Sequence, residues 1–346
     1  MRRYPAWLTK SFSPDDAAGT VRELVGDLGL ATVCESALCP NLRECYSQRQ
    51  LTFMILGERC TRSCRFCAVP HGKPQPVAAD EPWRVAEAVA RLGLRHVVIT
   101  SVARDELADE GASHFVAVID AVRGRNPGIT VEVLVPDFHA RRELIAQVMA
   151  ARPEVFAHNV ETIERLSPLV RPQAEYHRSL EVLRAARSMA GKSLIKSSLM
   201  LGLGEQMDEV REAFDDLVAA GCTHMTLGQY IRPTPAHLPV MDYLSPSRFD
   251  AYRQLAYDAG FRWVTAGPFV RSSYHAFEAL LDASATDGGR TPVGVRHLLA
   301  GEDRAGSVAA APGADQTLPI LQSVESSGQC HGTCEGVPAH AQPSDS

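Results

Sequence analysis

Short apolar runs of five to eight residues alternate with longer amphipathic stretches along most of the chain. The apolar runs read as buried strands, because they are short, rich in branched residues and bounded by turn residues. The predicted strands are 51–57, 96–100, 129–135, 154–159, 193–200, 224–228 and 262–267. The stretches between them repeat apolar residues at helical spacing. The predicted helices are 82–94, 112–124, 140–151, 175–190, 207–221 and 245–260.

This alternation predicts a parallel sheet covered by helices, since apolar strands joined through helices form βα units. The predicted fold class is α/β. About six or seven βα units favour a partial or complete barrel over an open sheet, and the expected architecture is a partial (β/α)6-type parallel barrel over residues 51–285. In such barrels the chemistry lies at the carboxyl ends of the strands. Residues that directly follow a predicted strand are therefore the first candidates for a functional site.

Two regions outside the alternation differ in character. Residues 1–50 show little periodicity but contain three cysteines, and they are predicted to form an N-terminal cysteine-rich extension. Residues 286–346 are of low complexity and contain no aromatic residue, so we expect a disordered C-terminal tail. Cys330 and Cys334 fall in that tail and receive no predicted role.

Composition narrows the class of protein. The chain has 346 residues and a formal net charge of −6, which argues against a nucleic-acid-binding surface. It contains no apolar run long enough for a membrane span, and its start lacks the apolar segment of a secretory signal. Six of the nine cysteines fall within 34 residues. Clustered cysteines in a long chain without a signal favour metal binding in a reducing cytoplasm.

The most informative motif lies directly after the first predicted strand. Cys60, Cys64 and Cys67 have the spacing C-x3-C-x2-C. Three thiolates can hold three corners of a four-iron, four-sulfur cluster and leave the fourth iron open to another ligand. A zinc site with His71 as its fourth ligand is the alternative.

This motif at the end of a first βα strand resembles the signature of the radical S-adenosylmethionine (SAM) superfamily, including the aromatic Phe66 before the last cysteine. An upstream triplet, C-x4-C-x5-C at Cys34, Cys39 and Cys45, narrows the resemblance to the lipoyl synthase family. Further stretches match that family in order over residues 30–280. They are CESALCPNLRECY, TSVARDELADEGASHF, FAHNVET, KSSLMLGLGE, GQYIRPT and GPFVRSSYHA.

The resemblance implies two four-iron, four-sulfur clusters and S-adenosylmethionine as cofactors. Cys60, Cys64 and Cys67 would hold the cluster that binds and cleaves S-adenosylmethionine, giving a 5′-deoxyadenosyl radical. An auxiliary cluster, the source of sulfur, would be held by Cys34, Cys39, Cys45 and Ser272, the first serine of the RSSY motif. From the residues alone, Ser272 would rather be read as a helix cap.

The implied reaction inserts two sulfur atoms at C6 and C8 of a protein-bound octanoyl-lysine. No side-chain acid/base catalyst is expected, because a cofactor radical attacks the unactivated C–H bonds. Thr100, Ser101, Asn159 and Lys196 lie near the ends of predicted strands and are candidate contacts for S-adenosylmethionine.

The expected partners follow from the same resemblance. They are octanoylated lipoyl carrier domains of 2-oxoacid dehydrogenases, the glycine-cleavage carrier, and a ferredoxin or flavodoxin as electron donor. Neither a nucleic acid nor a membrane is expected as a partner. Two alternatives stay open: another radical enzyme with an auxiliary cluster, acting in a different sulfur insertion or peptide modification, and a zinc-stabilised binding module without catalysis.

Overall fold

The structure is a computed structural model that describes residues 4–10 and 17–277. The predicted tail at 286–346, with Cys330 and Cys334, lies outside the described residues. One sheet of eight strands forms the centre, and its strands are hydrogen-bonded in the same order as they occur in the chain. They are β1 (Ala31–Thr32), β2 (Thr52–Ile55), β3 (His96–Ser101), β4 (Thr130–Leu134), β5 (Val155–Ala157), β6 (Leu194–Leu201), β7 (His224–Gln229) and β8 (Trp263–Gly267).

Ten α-helices accompany these strands in the described part of the chain. They are α1 (Ala17–Asp27), α2 (Val33–Ser36), α3 (Leu42–Ser47), α4 (Glu81–Leu92), α5 (Ala112–Arg125), α6 (Arg142–Ala150), α7 (Ser167–Val170), α8 (Tyr176–Met189), α9 (Met207–Ala219) and α10 (Pro246–Ala259). Their ends follow local chemistry. Ser245 accepts a hydrogen bond from the N–H of Arg248 at the start of α10, and Gly260 ends that helix with a φ of +114°.

The strand order makes this a barrel-type fold. Strands β2 to β8 pair in parallel, each with the next along the chain, and one long helix lies in every connection. Because parallel crossovers are right-handed, an order that never reverses places the helices on one face and curls the sheet. Among the described residues β8 pairs only with β7, so the barrel stays open. The predicted partial (β/α)6-type barrel is confirmed, with six βα units followed by a seventh parallel strand.

The two faces of the sheet differ in polarity. Residues such as Val131, Phe156 and Ile195 occupy the same face in adjacent strands and are almost completely buried in the apolar core. The alternate positions form the concave face and include polar groups. Lys196 on β6 donates a hydrogen bond of 2.8 Å to the Glu132 carboxylate on β4, and both side chains are buried.

The N-terminal extension contains more regular structure than its sequence pattern predicts. Strand β1 pairs antiparallel with β2, with Ala31 opposite Met54 and Thr32 opposite Phe53. Helix α1 packs against α3, and a buried hydrogen bond of 2.7 Å joins Thr32 Oγ1 to the Tyr46 hydroxyl. The extension is therefore attached to the first strand of the barrel. Within the described ranges, no helix is both long and apolar enough to cross a lipid bilayer.

Buried His224 on β7 should make stability depend on pH. Burial, with a further contribution from the nearby Lys196 ammonium, lowers the pKa of His224 to about 4. The unfolded chain then binds more protons than the folded one between pH 6.5 and pH 4, so stability falls as the pH drops through this window. Between pH 7 and pH 5 we expect a loss of about 2 kcal/mol from this group. Urea unfolding of wild type and His224→Phe at both pH values measures the effect, which the variant should lack.

Candidate metal centres

The loop after β2 carries the second cysteine triplet and is closed by its own backbone. The N–H of Cys60 donates to Pro70 O, and the N–H of Gly72 donates back to Cys60 O, each at 2.9 Å. Inside this closed loop, the N–H of Cys67 donates to Cys64 O at 3.1 Å. All three cysteines are half-buried and none forms a disulfide. The triplet therefore lies at the carboxyl end of a barrel strand, as predicted.

Backbone amides and one histidine contact this triplet directly. The Sγ of Cys60 accepts hydrogen bonds from the N–H groups of Arg62 and Ala103, at 3.4 and 3.3 Å. The imidazole of His237 contacts the carbonyl of Cys67 at 2.9 Å. Hydrogen bonds to ligating sulfurs are a known means by which proteins tune iron–sulfur clusters.

A buried arginine connects the cysteine loop to two neighbouring strand ends. Arg62 bonds Asp105 through two nitrogens, at 2.9 and 2.7 Å, and also bonds Asp137 at 2.7 Å. Burial opposes the ionised form of Asp137, but its hydrogen bond and charge pairing with Arg62 hold the pKa well below its usual range. This charge-paired group fixes the loop that carries the triplet.

The segment after β5 also faces this triplet. Arg171, which is buried, donates to the carbonyl of Asn159 at 3.0 Å, and the Asn159 amide donates to the Glu161 carboxylate at 3.0 Å. Glu161 has a φ of +65°, an unusual conformation for a residue with a side chain. Burial raises the pKa of Glu161, and its carboxylate is close enough to Cys64 and Cys67 to influence both thiols.

Sequence reasoning missed Glu161 and Arg62 as site residues. Glu161 is the sixth residue of the FAHNVET stretch, so the signal was present, but nothing in that stretch predicts the backbone conformation that turns the carboxylate toward the thiols. Arg62 lies between two of the cysteines, where an arginine is more simply read as exposed.

The N-terminal triplet lies between β1 and β2, with Cys34 on α2, Cys45 on α3 and Cys39 in the connection between these two short helices. The N–H of Cys39 donates to Cys34 O at 3.0 Å, and that of Cys45 donates to Asn41 O at 2.9 Å. Helix α2 begins after Thr32, whose hydroxyl accepts the N–H of Glu35 at 3.3 Å. The three cysteines line a single cavity together with Thr52 and His96 of the barrel. The N-terminal triplet therefore faces the concave side of the sheet.

The RSSY segment reaches the same cavity. Arg271 and Ser273 line it, and Ser272 lies between them. The hydroxyl of Ser273 accepts a hydrogen bond of 2.8 Å from Thr52. The fold thus brings the C-terminal serines beside a cysteine triplet more than 220 residues away in the chain. The assignment of Ser272 as a ligand stays a prediction.

The thiols of neither triplet are gathered tightly around the position of a single ion. Within residues 4–10 and 17–277, the one set of three ligand-type residues whose atoms all lie within 4.8 Å of one another is Asp105, Glu110 and His139. Neither cysteine triplet is drawn together so tightly. A tetrahedral zinc ion with bonds of about 2.3 Å would hold its sulfurs about 3.8 Å apart. Two sets of three more widely placed thiols fit the larger core of an iron–sulfur cluster better.

Electrostatics couple the thiols within each triplet. Burial, and then the neighbouring Cys39, raise the pKa of Cys34 to about 12. Burial, and then the neighbouring Cys67 and Cys60, raise the pKa of Cys64 to about 12. Such thiols stay protonated until a metal takes the proton's place, so cluster binding should release protons.

The four residues predicted to contact S-adenosylmethionine differ in position and in hydrogen bonding. Ser101 ends β3 with a buried hydroxyl that has no hydrogen-bond partner, while the Thr100 hydroxyl donates to Leu134 O at 2.9 Å. Asn159 follows β5, and its Oδ1 is also buried without a partner. Lys196 lies near the amino end of β6 and is paired with Glu132. Ser101 and Asn159 therefore have polar atoms available for a ligand, and all four assignments stay predictions.

Comparison with known proteins first defines the class. The sequence model of the Radical SAM superfamily matches residues 54–217, which include the second triplet and strands β3 to β6. Among solved structures, methylornithine synthase matches 72% of this chain and 81% of its own, at 13% identity and a TM-score of 0.47. This structural similarity is too distant to indicate a function for the chain. The matched region identifies a radical SAM domain that includes the second cysteine triplet.

Curated relatives then define the family. Lipoyl synthase of Thermus thermophilus is 51% identical over 285 residues, which cover 82% of this chain and 88% of that protein. Lipoyl synthase of Rubrobacter xylanophilus is 51% identical over 279 residues, covering 81% and 87%. The chain belongs to the lipoyl synthase family, and the family resemblance predicted from its motifs is confirmed.

The pairing of Arg62 with Asp105 and Asp137 leads to a stability prediction. Arg62→Met should leave the buried Asp137 carboxylate without its main partner and lower the free energy of unfolding by about 3 kcal/mol. Arg91→Met removes the exposed member of a pair with Glu87 and should leave the free energy of unfolding nearly unchanged. Urea unfolding of both variants tests this. Equal effects would mean that the Arg62 network does not hold the cysteine loop.

Proposed function

We propose that the protein inserts sulfur at C6 and C8 of an octanoyl chain amide-linked to a carrier-domain lysine, giving the lipoyl group. The observation that carries this function is the presence of two separate cysteine triplets on one barrel. They lie at opposite ends of β2 in a chain whose curated lipoyl synthase relatives are about half identical to it. A radical enzyme with one cluster would need only the second triplet.

In this function Cys60, Cys64 and Cys67 hold the cluster that binds S-adenosylmethionine. Cys34, Cys39 and Cys45, with Ser272, hold the auxiliary cluster, and residues 1–50 are the extension that carries this second site. When bound, the two clusters and S-adenosylmethionine supply the electron, the radical and the sulfur. The protein's own residues bind and orient these groups on the concave face of the sheet.

Ser101, Asn159 and Glu161 are proposed to face S-adenosylmethionine. This is supported by the orphan polar atoms of Ser101 and Asn159 and by the position of the Glu161 carboxylate beside the thiols. Octanoylated lipoyl carrier domains are the proposed protein substrates, and a ferredoxin or flavodoxin is the proposed electron donor. The proposed compartment is the cytoplasm, where thiols stay reduced.

Single substitutions should separate the roles of the two triplets. Cys64→Ala should abolish reductive cleavage of S-adenosylmethionine, because the open iron site is lost. Cys39→Ala should retain cleavage but prevent sulfur insertion into an octanoyl-lysine peptide, since only the auxiliary site is damaged. Anaerobic assays of 5′-deoxyadenosine and peptide mass measure the two outcomes separately. Equal losses of cleavage in the two variants would contradict this division of roles.

Metal content tests the same proposal against the zinc-stabilised module. The anaerobically purified protein should be brown and contain about eight irons, as two four-iron clusters require. Cys64→Ala and Cys39→Ala should each retain about four. A colourless protein containing zinc would support the binding module. If S-adenosylmethionine is cleaved while the octanoyl peptide gains no sulfur, the enzyme belongs with other auxiliary-cluster radical enzymes instead.

A further inference from the structure

One lysine joins three parts of the chain that are far apart in sequence. The Lys10 ammonium donates to Asn41 Oδ1 at 2.7 Å and is paired with the Glu44 carboxylate. It also lies over the rings of Phe269 and Tyr274, 4.5 and 5.5 Å from their centroids. We name this set the Lys10 clasp: Lys10, Asn41, Glu44, Phe269 and Tyr274.

Hydrogen bonds between the other members close the clasp. Asn41 Nδ2 donates to Phe269 O at 2.6 Å, and the Tyr274 hydroxyl donates to Glu44 Oε1 at 2.7 Å. Asn41 is only 1% exposed, so its amide depends on these partners. The Lys10 segment is itself anchored to the barrel, because Trp7 Nε1 donates to Leu244 O at 3.0 Å.

The positions of the clasp residues connect them to the N-terminal triplet. Asn41 lies between Cys39 and Cys45, and Glu44 directly precedes Cys45. Phe269 and Tyr274 lie on either side of Ser272. The clasp therefore binds one segment that carries thiols and one that carries the serine, at contacts on both sides of that serine.

We propose that the Lys10 clasp is the positioning element that holds Ser272 beside the N-terminal cysteine triplet. This inference rests on the proposed function, in which Ser272 is the fourth ligand of the auxiliary cluster. Because the segment is held by Phe269 and Tyr274, the hydroxyl keeps its place beside the cavity without depending on a bond to metal. A group held in this way acts at high effective concentration.

Loss of the Lys10 ammonium should weaken the clasp more than loss of any other member. Its ammonium contacts all four other members, by a hydrogen bond, an ion pair and two cation–π contacts. Lys10→Met retains most of the apolar stem and removes the charge. It leaves the buried Asn41 Oδ1 without this donor and weakens the hold on both aromatic rings.

The test uses the full chain with Cys60, Cys64 and Cys67 replaced by Ala, reconstituted anaerobically so that iron reports only on the N-terminal triplet. The measurement is the rate at which a chelator removes that iron. Ser272→Ala and Lys10→Met should each accelerate removal about fivefold or more, the effect of about 1 kcal/mol. Lys10→Arg should stay close to the parent, because it keeps the charge. Lys192→Met changes an exposed lysine that belongs to neither the clasp nor the lining of the cavity, and it should also match the parent.

The double variant Lys10→Met/Ser272→Ala distinguishes positioning from general support. If Lys10 acts through the Ser272 hydroxyl, the double variant should lose iron no faster than Ser272→Ala alone. Multiplied effects would show that Lys10 only stabilises the fold, and would overturn the inference. Ser273→Ala serves as the neighbouring control and should retain iron better than Ser272→Ala.

The outcomes separate this inference from the function on which it rests. If Ser272→Ala accelerates iron loss and Lys10→Met does not, the clasp inference is wrong and the proposed function stands. If Ser272→Ala has no effect, the ligand assignment fails and the clasp inference fails with it. A parent protein that takes up no iron at the N-terminal triplet would contradict the proposed function itself.

Discussion

Strand β2 is the constraint on which the arrangement of the two centres depends. Its amino end, at Thr52, lines the cavity of the N-terminal triplet, and its carboxyl end leads directly into the loop of the second triplet. Four residues of extended chain span about 13 Å. The two triplets are therefore held apart by a strand in the core of the barrel, one at its amino end and the other beyond its carboxyl end.

Pairing of β1 with β2 completes this arrangement. The N-terminal triplet lies on two helices too short to be stable alone and on the connection between them. It gains its position from the two-residue strand before it and from the C-terminal segment beside it. The second triplet is stabilised differently, by a buried arginine shared between two carboxylates. One site is thus built into the barrel, whereas the other is assembled from the two ends of the described chain. That difference fits a centre that remains intact and a centre that must give up sulfur.

Much of this could be predicted from the sequence, and the remainder has identifiable causes. The six long helices were predictable because each repeats apolar residues at helical spacing. The seven barrel strands were predictable because each is a short apolar run bounded by turn residues. Strand β1 has only two residues, and its pairing is antiparallel, so no periodic signal exists for it. The cysteine spacing identified both triplets. It could not reveal the contact of Lys10 with Tyr274, or the positive φ of Glu161, because these depend on tertiary structure. Lys196 looked like a ligand-binding residue at a strand end, and its pairing with Glu132 required the register of three strands.

Two separate iron–sulfur centres are expected, one at each end of β2. An anaerobic crystal structure of the reconstituted protein, with iron located by anomalous scattering, tests this arrangement most directly. We expect two distinct four-iron centres, one on Cys60, Cys64 and Cys67 and one on Cys34, Cys39 and Cys45, the second with Ser272 oxygen at its fourth iron. A single shared metal centre, or disulfides among these six cysteines, would contradict it.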